Sequence, residues 1–324
     1  MKYIFSNKKK SIKFKFYYFI FLIIWFSQFK IILKRRNKLF QKNLKIALCT
    51  MGKKENLYSK EFIDYYIKLG INQIFIYDHN EPNTENIIDT VENIYKNKVT
   101  VYKAFLKNIT NQAEAFTDCY KNNYHYYDWF LMVDMDEYLY IKKETLSNYL
   151  KHSIFDKCDI INFHWVIPND NNLIYYDKRP LFERFKGPYT KSVVVKSMIR
   201  GNISNVKYSV HSPNFSPERN ITCNNEGKKI DYKNLNIEFI TKISIKKAYI
   251  IHFRYKSTQE FINKYKRGYS NWFGNRINSF LYSVIEEYFQ INKITLEKIN
   301  FIEKELNLNL SIYKEIYYRK QKRI

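Results

Sequence analysis

Glycine and proline are scarce, at 7 and 6 of 324 residues. A glycine-rich phosphate loop is therefore not expected, and the one turn in a position to form it, Thr50-Met51-Gly52-Lys53, lacks the spacing. That argues against a nucleotidyltransferase built around such a loop. The four cysteines, Cys49, Cys119, Cys158 and Cys223, include no CxxC pair, which excludes the common zinc modules. Spread so widely, they read as buried free thiols rather than a disulfide framework, with one bridge open if the domain is lumenal. Acidic residues are missing from residues 1–45, which hold 13 Lys or Arg, and the chain ends in RKQKRI. Most of the formal charge of +24 thus lies at the two ends. The body shows no dense basic patch interleaved with aromatics, so no nucleic-acid partner is expected.

The basic N-terminal region surrounds FYYFIFLIIWFSQF, residues 16–29, which carries no charge. Ile31, Ile32 and Leu33 extend it past Lys30, whose long side chain can snorkel. The resulting stretch of about 18 residues is at the short end of a bilayer span. No small-residue cleavage site follows, so an uncleaved signal-anchor is expected rather than a signal peptide, with an interfacial helix as the alternative. The chain then divides into a basic tail (1–15), a transmembrane anchor (16–33), a basic stem (34–44) and one domain (45–324).

Within that domain apolar runs alternate with helical spacing. Strands are expected at 45–51, 72–78, 98–104 and 128–134. Helices are expected at 59–70 (N-capped by Ser59, stopped by Gly70), at 84–97 (capped by Thr84) and at 111–123. Further strands are expected at 158–165, 191–197, 206–211 and 246–253. A helix opening on the capping box Ser257/Glu260 follows. The alternation predicts an α/β fold, a mostly parallel sheet flanked by helices. Ligands of such sheets bind beyond the carboxyl ends of the strands.

Three of those ends carry polar groups: Thr50-Met51-Gly52, Asp78, and the acidic cluster of WFLMVDMDEYLYI (129–141). In this last stretch Asp134, Asp136 and Glu137 interrupt a run that otherwise reads as buried. An ordinary strand exit into solvent is one reading. Against it, apolar residues resume at Tyr138, and crowded carboxylates resist burial without a cation or donors. Asp134 and Asp136 at i and i+2 project to one side of an extended chain, as oxygen ligands of Mg²⁺ or Mn²⁺ beside substrate phosphates would.

KENLYSKEFIDYYIKLGINQIFIYDH, NQAEAFTDCY, DWFLMVDMDEYL, LFERF, KSVVVKS and IIHFRYKSTQEFINKYKRG occur in this order. Together they resemble glycosyltransferase family 92 and related family-2-like transferases with a GT-A fold, over about residues 45–270. The chain departs from the family pattern at Phe253, where a tyrosine is common, and at Val166-Ile167-Pro168. The resemblance implies a metal-dependent, inverting transfer of sugar from a nucleotide-sugar donor (UDP- or GDP-linked) to a glycan or other hydroxyl acceptor. It also implies a lumenal domain in the secretory pathway, with a Golgi membrane as the expected location. The metal ligands expected are Asp134, Asp136 and His211. Asp78, Gln112, Asp134, His252 and Lys256 are expected on the donor, and Glu183 or Asp170 as the base. A membrane-tethered protein that binds glycan or nucleotide without catalysis is the alternative.

Overall fold

The computed structural model describes residues 43–214, 221–230, 240–267 and 277–321. The expected tail, anchor and stem lie outside the described residues. Among the described residues no helix is long and apolar enough to cross a membrane.

Strand β1 (Ile46–Gly52) is buried along nearly its whole length because β2 (Gln73–Asp78) and β4 (Trp129–Met132) flank it on both sides in parallel. β3 (Val99–Lys103) extends this parallel half. Beyond β4 the sheet changes character. β7 (Tyr189–Arg200) runs antiparallel between β4 and β6 (Ile160–Pro168), and β11 (Ala248–His252) is parallel to β6. β5 (Glu137–Ile141) closes the edge antiparallel to β11, and β10 (Thr222–Asn224) pairs with the start of β6. The order is β3-β2-β1-β4-β7-β6-β11-β5. The sheet is therefore mixed rather than mostly parallel. Uninterrupted parallel pairing holds only among the first four strands.

Helix α1 (Asn56–Leu69) buries Tyr58, Phe62, Ile63 and Tyr66, the i, i+4, i+5, i+8 stripe of an amphipathic helix. It ends at Gly70, whose φ of 106° is a left-handed conformation that favours glycine. Ser59 lies inside this helix and bonds to the Asn56 carbonyl, so the helix begins one turn earlier than expected. The helix expected at 84–97 is absent. Two short 3₁₀ turns, Ile87–Thr90 and Asn93–Tyr95, replace it. Only Ile87 and Val91 of this stretch reach the core, too few to support an isolated helix. The strand expected at 206–211 shrinks to β8 (Lys207–Tyr208), which pairs with β9 (Pro213–Asn214) and leaves His211 in the connecting turn.

The remaining helices are α2 (Gln112–Asn123), α3 (Leu146–Leu150), α4 (Leu181–Arg184), α5 (Thr258–Lys266), α6 (Ile277–Ile291), α7 (Leu296–Leu306) and α8 (Ser311–Gln321). α5 has the expected Ser257/Glu260 capping box. The C-terminal helices share a core built on Tyr255, Phe261 and Tyr288.

The cysteines are not free thiols. Cys49 of β1 is bonded to Cys119 of α2, and Cys158 before β6 to Cys223 of β10. Wide spacing in sequence hid the pairing because each bridge closes over a long segment, 70 and 65 residues apart. Thiol titration of the denatured, unreduced chain should find no reactive cysteine, and all four after reduction. Replacing either pair by serine should cost about 2–5 kcal/mol in chemical denaturation.

Candidate active site

The carboxyl ends of β1, β2 and β4 converge on a cleft of about 280 Å³. β1 contributes Met51, and the loop after it Lys53 and Glu55. His79 follows β2, Gln112 opens α2, and Asp134, Met135 and Asp136 follow β4. The antiparallel half of the sheet supplies Trp165 and His252, α5 and its end supply Lys264 and Arg267, and His211 completes the wall. At Gly52 the β1 end and the acidic turn pack closely: an added Cβ would meet Met135 Sδ at 2.4 Å and Ile87 Cδ1 at 2.9 Å, so those two side chains would have to shift to admit one.

Residues 134–136 form a tight turn joining central β4 to edge β5, closed by Glu137 N–H on the Asp134 carbonyl at 3.1 Å. The Glu137 carboxylate in turn accepts from Asp134 N–H at 3.1 Å. Positive charge comes from elsewhere in the fold. The antiparallel register, continued past Leu131↔Met198, brings Lys196 of β7 beside this turn. Its fully buried ammonium lies 3.0 Å from Asp134 Oδ1, 2.8 Å from the Val210 carbonyl and 3.8 Å from Glu137 Oε2. Lys264 Nζ lies 2.7 Å from Asp136 Oδ2, and His252 Nε2 lies 3.4 Å from Asp136 Oδ1.

Burial opposes the charge on Asp136, but Lys264 and His252 outweigh it and hold this carboxyl well below the usual range. Burial also opposes Asp134, and Lys196 brings it down. Glu137 has the opposite outcome: burial, then the charge on Asp134, push it well above the usual range and so favour its neutral form. Burial and then Lys196 lower His211 to about 3, and burial lowers His252; both imidazoles are neutral at pH 7. Two ammonium groups, Lys196 and Lys264, thus stand against the carboxylates of Asp134 and Asp136.

The expected site residues divide between the cleft and the interior. Asp134, Asp136, His211, His252 and Gln112 come together, and Gln112 Nε2 donates to Asp134 Oδ1. Asp78 is at the expected strand end but is fully buried. It accepts from Asn80 N–H, Ile87 N–H and Lys103 Nζ and shapes the loop that carries His79. Lys256 does not line the cleft but lies behind it, 3.7 Å from the cleft residue Glu55 and 4.0 Å from the ring of Tyr58. Neither expected base lines the cleft. Glu183 is exposed on α4, and Asp170 is buried against Lys298 at 2.6 Å and Tyr288 Oη at 2.6 Å, an ion pair joining the sheet to α7. Sequence reasoning missed Lys196 and Lys264. The one hint for Lys196 was a lysine inside the otherwise apolar strand pattern of SVVVKSMI.

Two ionised carboxylates and a neutral imidazole on one cleft wall have the donor chemistry of a divalent-ion site. Among the described residues no group of three His, Cys, Asp or Glu side chains is arranged to hold an ion unaided. The set fits an ion that arrives with oxygen ligands of its own, such as a diphosphate.

Lys196→Met should destabilise the fold by about 3–5 kcal/mol in urea unfolding, because Asp134 loses its cation. Asp134→Asn should cost far less. Glu137, 3.8 Å from the same ammonium, can ionise in its place.

The sequence profile of glycosyltransferase family 92 matches residues 42–277. A glycosyltransferase family 92 protein of Oryza sativa subsp. japonica is 25% identical over 123 residues, 37% of this chain and 20% of that protein. One of Ricinus communis is 26% identical over 102 residues, 31% of this chain and 18% of the relative. The matched stretches thus span about a fifth of these relatives. Among solved structures, S. aureus TarS has a TM-score of 0.26 and 19% identity, over 43% of this chain and 23% of its own. The bifunctional glycosyltransferase WbbM has a TM-score of 0.26 and 12% identity, over 38% and 24%. Overlaps this limited add nothing to the argument. The family match runs from just before β1 to the first residue of α6, through every strand of the sheet, and on it the chain belongs to glycosyltransferase family 92.

Proposed function

We propose that the cleft binds a UDP- or GDP-linked sugar and transfers the sugar, with inversion, to a hydroxyl of a glycan or another acceptor. The observation that carries this reading is the ionised Asp134/Asp136 pair in a cleft also lined by Lys264 and Arg267, in a family 92 chain. A nucleotide-sugar diphosphate needs its charge countered as the nucleotide departs. Lys264 and Arg267 meet its oxygens directly. Asp134 and Asp136, joined by His211, would hold Mn²⁺ or Mg²⁺ that brings the diphosphate's oxygens with it. When bound, the ion supplies further neutralisation of the leaving diphosphate. Gln112 orients Asp134, and His252 orients Asp136 from the side away from Lys264. Trp165, with its ring centroid 4.3 Å from that of His252, walls the cleft on the antiparallel side and excludes water there. Inversion also requires a base for the acceptor proton; since Glu183 and Asp170 stand outside the cleft, this reading assigns the role to neither. The two disulfides support maturation in an oxidising compartment. That suits a membrane-anchored enzyme with a lumenal domain, in the Golgi or elsewhere along the secretory pathway.

The test is a panel of UDP- and GDP-sugars incubated with the full chain and Mn²⁺ or Mg²⁺. Release of UDP or GDP should stop on chelation and in Asp134→Asn and Asp136→Asn, both still folded. Wild-type turnover in both variants at saturating metal would sink the reading, and a chain that binds the nucleotide without ever turning it over would be a binding protein. His211→Ala should raise the metal concentration needed for half-maximal rate. His252→Ala should instead raise the KM for donor or acceptor with near-normal metal demand.

A further inference from the structure

The LFERF stretch contributes to the structure through its arginine. Arg184, at the end of α4, has no exposed side-chain surface and does not line the cleft. Its Nη1 lies 2.9 Å from Glu260 Oε2, and its Nη2 donates to Tyr58 Oη at 2.9 Å. Tyr58 Oη in turn donates to Glu260 Oε1. Glu260 Oε2 also accepts from the Ser257 amide at 3.2 Å and the Ser257 hydroxyl at 2.7 Å. One carboxylate thus binds α1, α4 and the first turn of α5 together. α4 is itself anchored to α1, since Leu181 N–H donates to Glu61 Oε1 at 2.9 Å.

Glu260, Lys264 and Arg267 stand at i, i+4 and i+7 and share one face of α5. At the rise of an α-helix, Lys264 is about 6 Å and Arg267 about 10 Å further along than Glu260. Lys264 reaches Asp136 at 2.7 Å, while Arg267 reaches Glu55 at 2.5 Å and the Lys54 carbonyl at 3.1 Å. The axial position and rotation of α5 decide where Lys264 stands, and the N-terminal anchor fixes that seating; Arg267, just past the helix, has its own tethers on Glu55 and the Lys54 carbonyl. A buried ion pair is an expensive way to begin a helix, since desolvation consumes most of its attraction. Ser257 already caps α5 without help from Arg184. What the arginine adds is a direction: a planar group held between α1 and α5 permits one seating of the helix.

We propose that Arg184 is a positioning residue for donor binding, acting through Glu260 to place Lys264 at the diphosphate. This rests on the glycosyltransferase reading above, because it gives that cation a diphosphate to meet. A side chain that acts only through α5 must lose its influence once Lys264 can no longer respond.

The experiment titrates UDP and GDP, with Mn²⁺ present, into the full chain and into Arg184→Met, Lys264→Met and the double variant, with melting temperatures recorded in parallel. Each single change should weaken binding of the preferred nucleotide about tenfold, and the double variant should be little weaker than Lys264→Met alone. Losses that multiply to about a hundredfold would overturn the inference, as would wild-type affinity in Arg184→Met. Should Arg184→Met fail to fold, Glu260→Gln keeps the shape of the hub while removing the charge that holds the guanidinium, and the same comparison with Lys264→Met decides. A wild-type chain that binds neither nucleotide would overturn the donor reading and this inference with it; a wild type that binds, with multiplied losses, would overturn the role of Arg184 alone.

Discussion

Three carboxylates within four residues can stand at the end of a buried strand only if opposite charge reaches them from elsewhere in the fold. Here it arrives from two directions, Lys196 on β7 and Lys264 on α5. Glu137, left without a full share of either, is pushed by burial and by the charge on Asp134 toward its neutral form. Much of the remaining architecture serves this balance. β7 must run antiparallel to β4 for Lys196 to pass beside Asp134, and α5 must be seated at a fixed angle for Lys264 to reach Asp136.

The change from parallel to antiparallel pairing is what makes the cleft. Parallel strands β1, β2 and β4 all deliver their carboxyl ends to one rim, where loops carry Lys53, Glu55, His79 and the acidic turn. The strands beyond β4 bring residues of a different kind to the same rim: an aromatic wall, two neutral imidazoles and the C-terminal helices with their cations. The acidic turn crosses from the centre of the sheet to its edge and so joins the two halves. It packs closely against β1 at Gly52, one of very few glycines in the chain.

Interior ion pairs at some distance from the cleft hold the peripheral elements to this frame. Asp170 with Lys298 joins the loop after β6 to α7, and Arg184 with Glu260 joins α4 to α5. The disulfides act in the same sense on the other faces, linking α2 to β1 and β10 to the segment before β6. Each of these links is costly to break because the groups it leaves behind have no water to turn to.

The amino-acid sequence determined the strands and two of the three helices expected in the first half, the strand ends that meet at the rim, the capping box of α5 and the identity of the acidic pair. Those features depend on periodicity, turn residues and crowding of like charge within a few positions, all of which are written along the chain. It did not determine the partners. Asp134 and Lys196 are 62 residues apart, Asp136 and Lys264 128, and the disulfide cysteines 70 and 65. Asp78, Asp170, Glu183 and Lys256 were also candidates for the cleft beside Asp134. Which of them faces ligand and which is spent on an internal contact depended on strand order and helix seating, and tertiary structure alone decides those. The reason is physical: a side chain's charge state and exposure are set by groups brought near it in space, and separation along the chain places no limit on which groups those are.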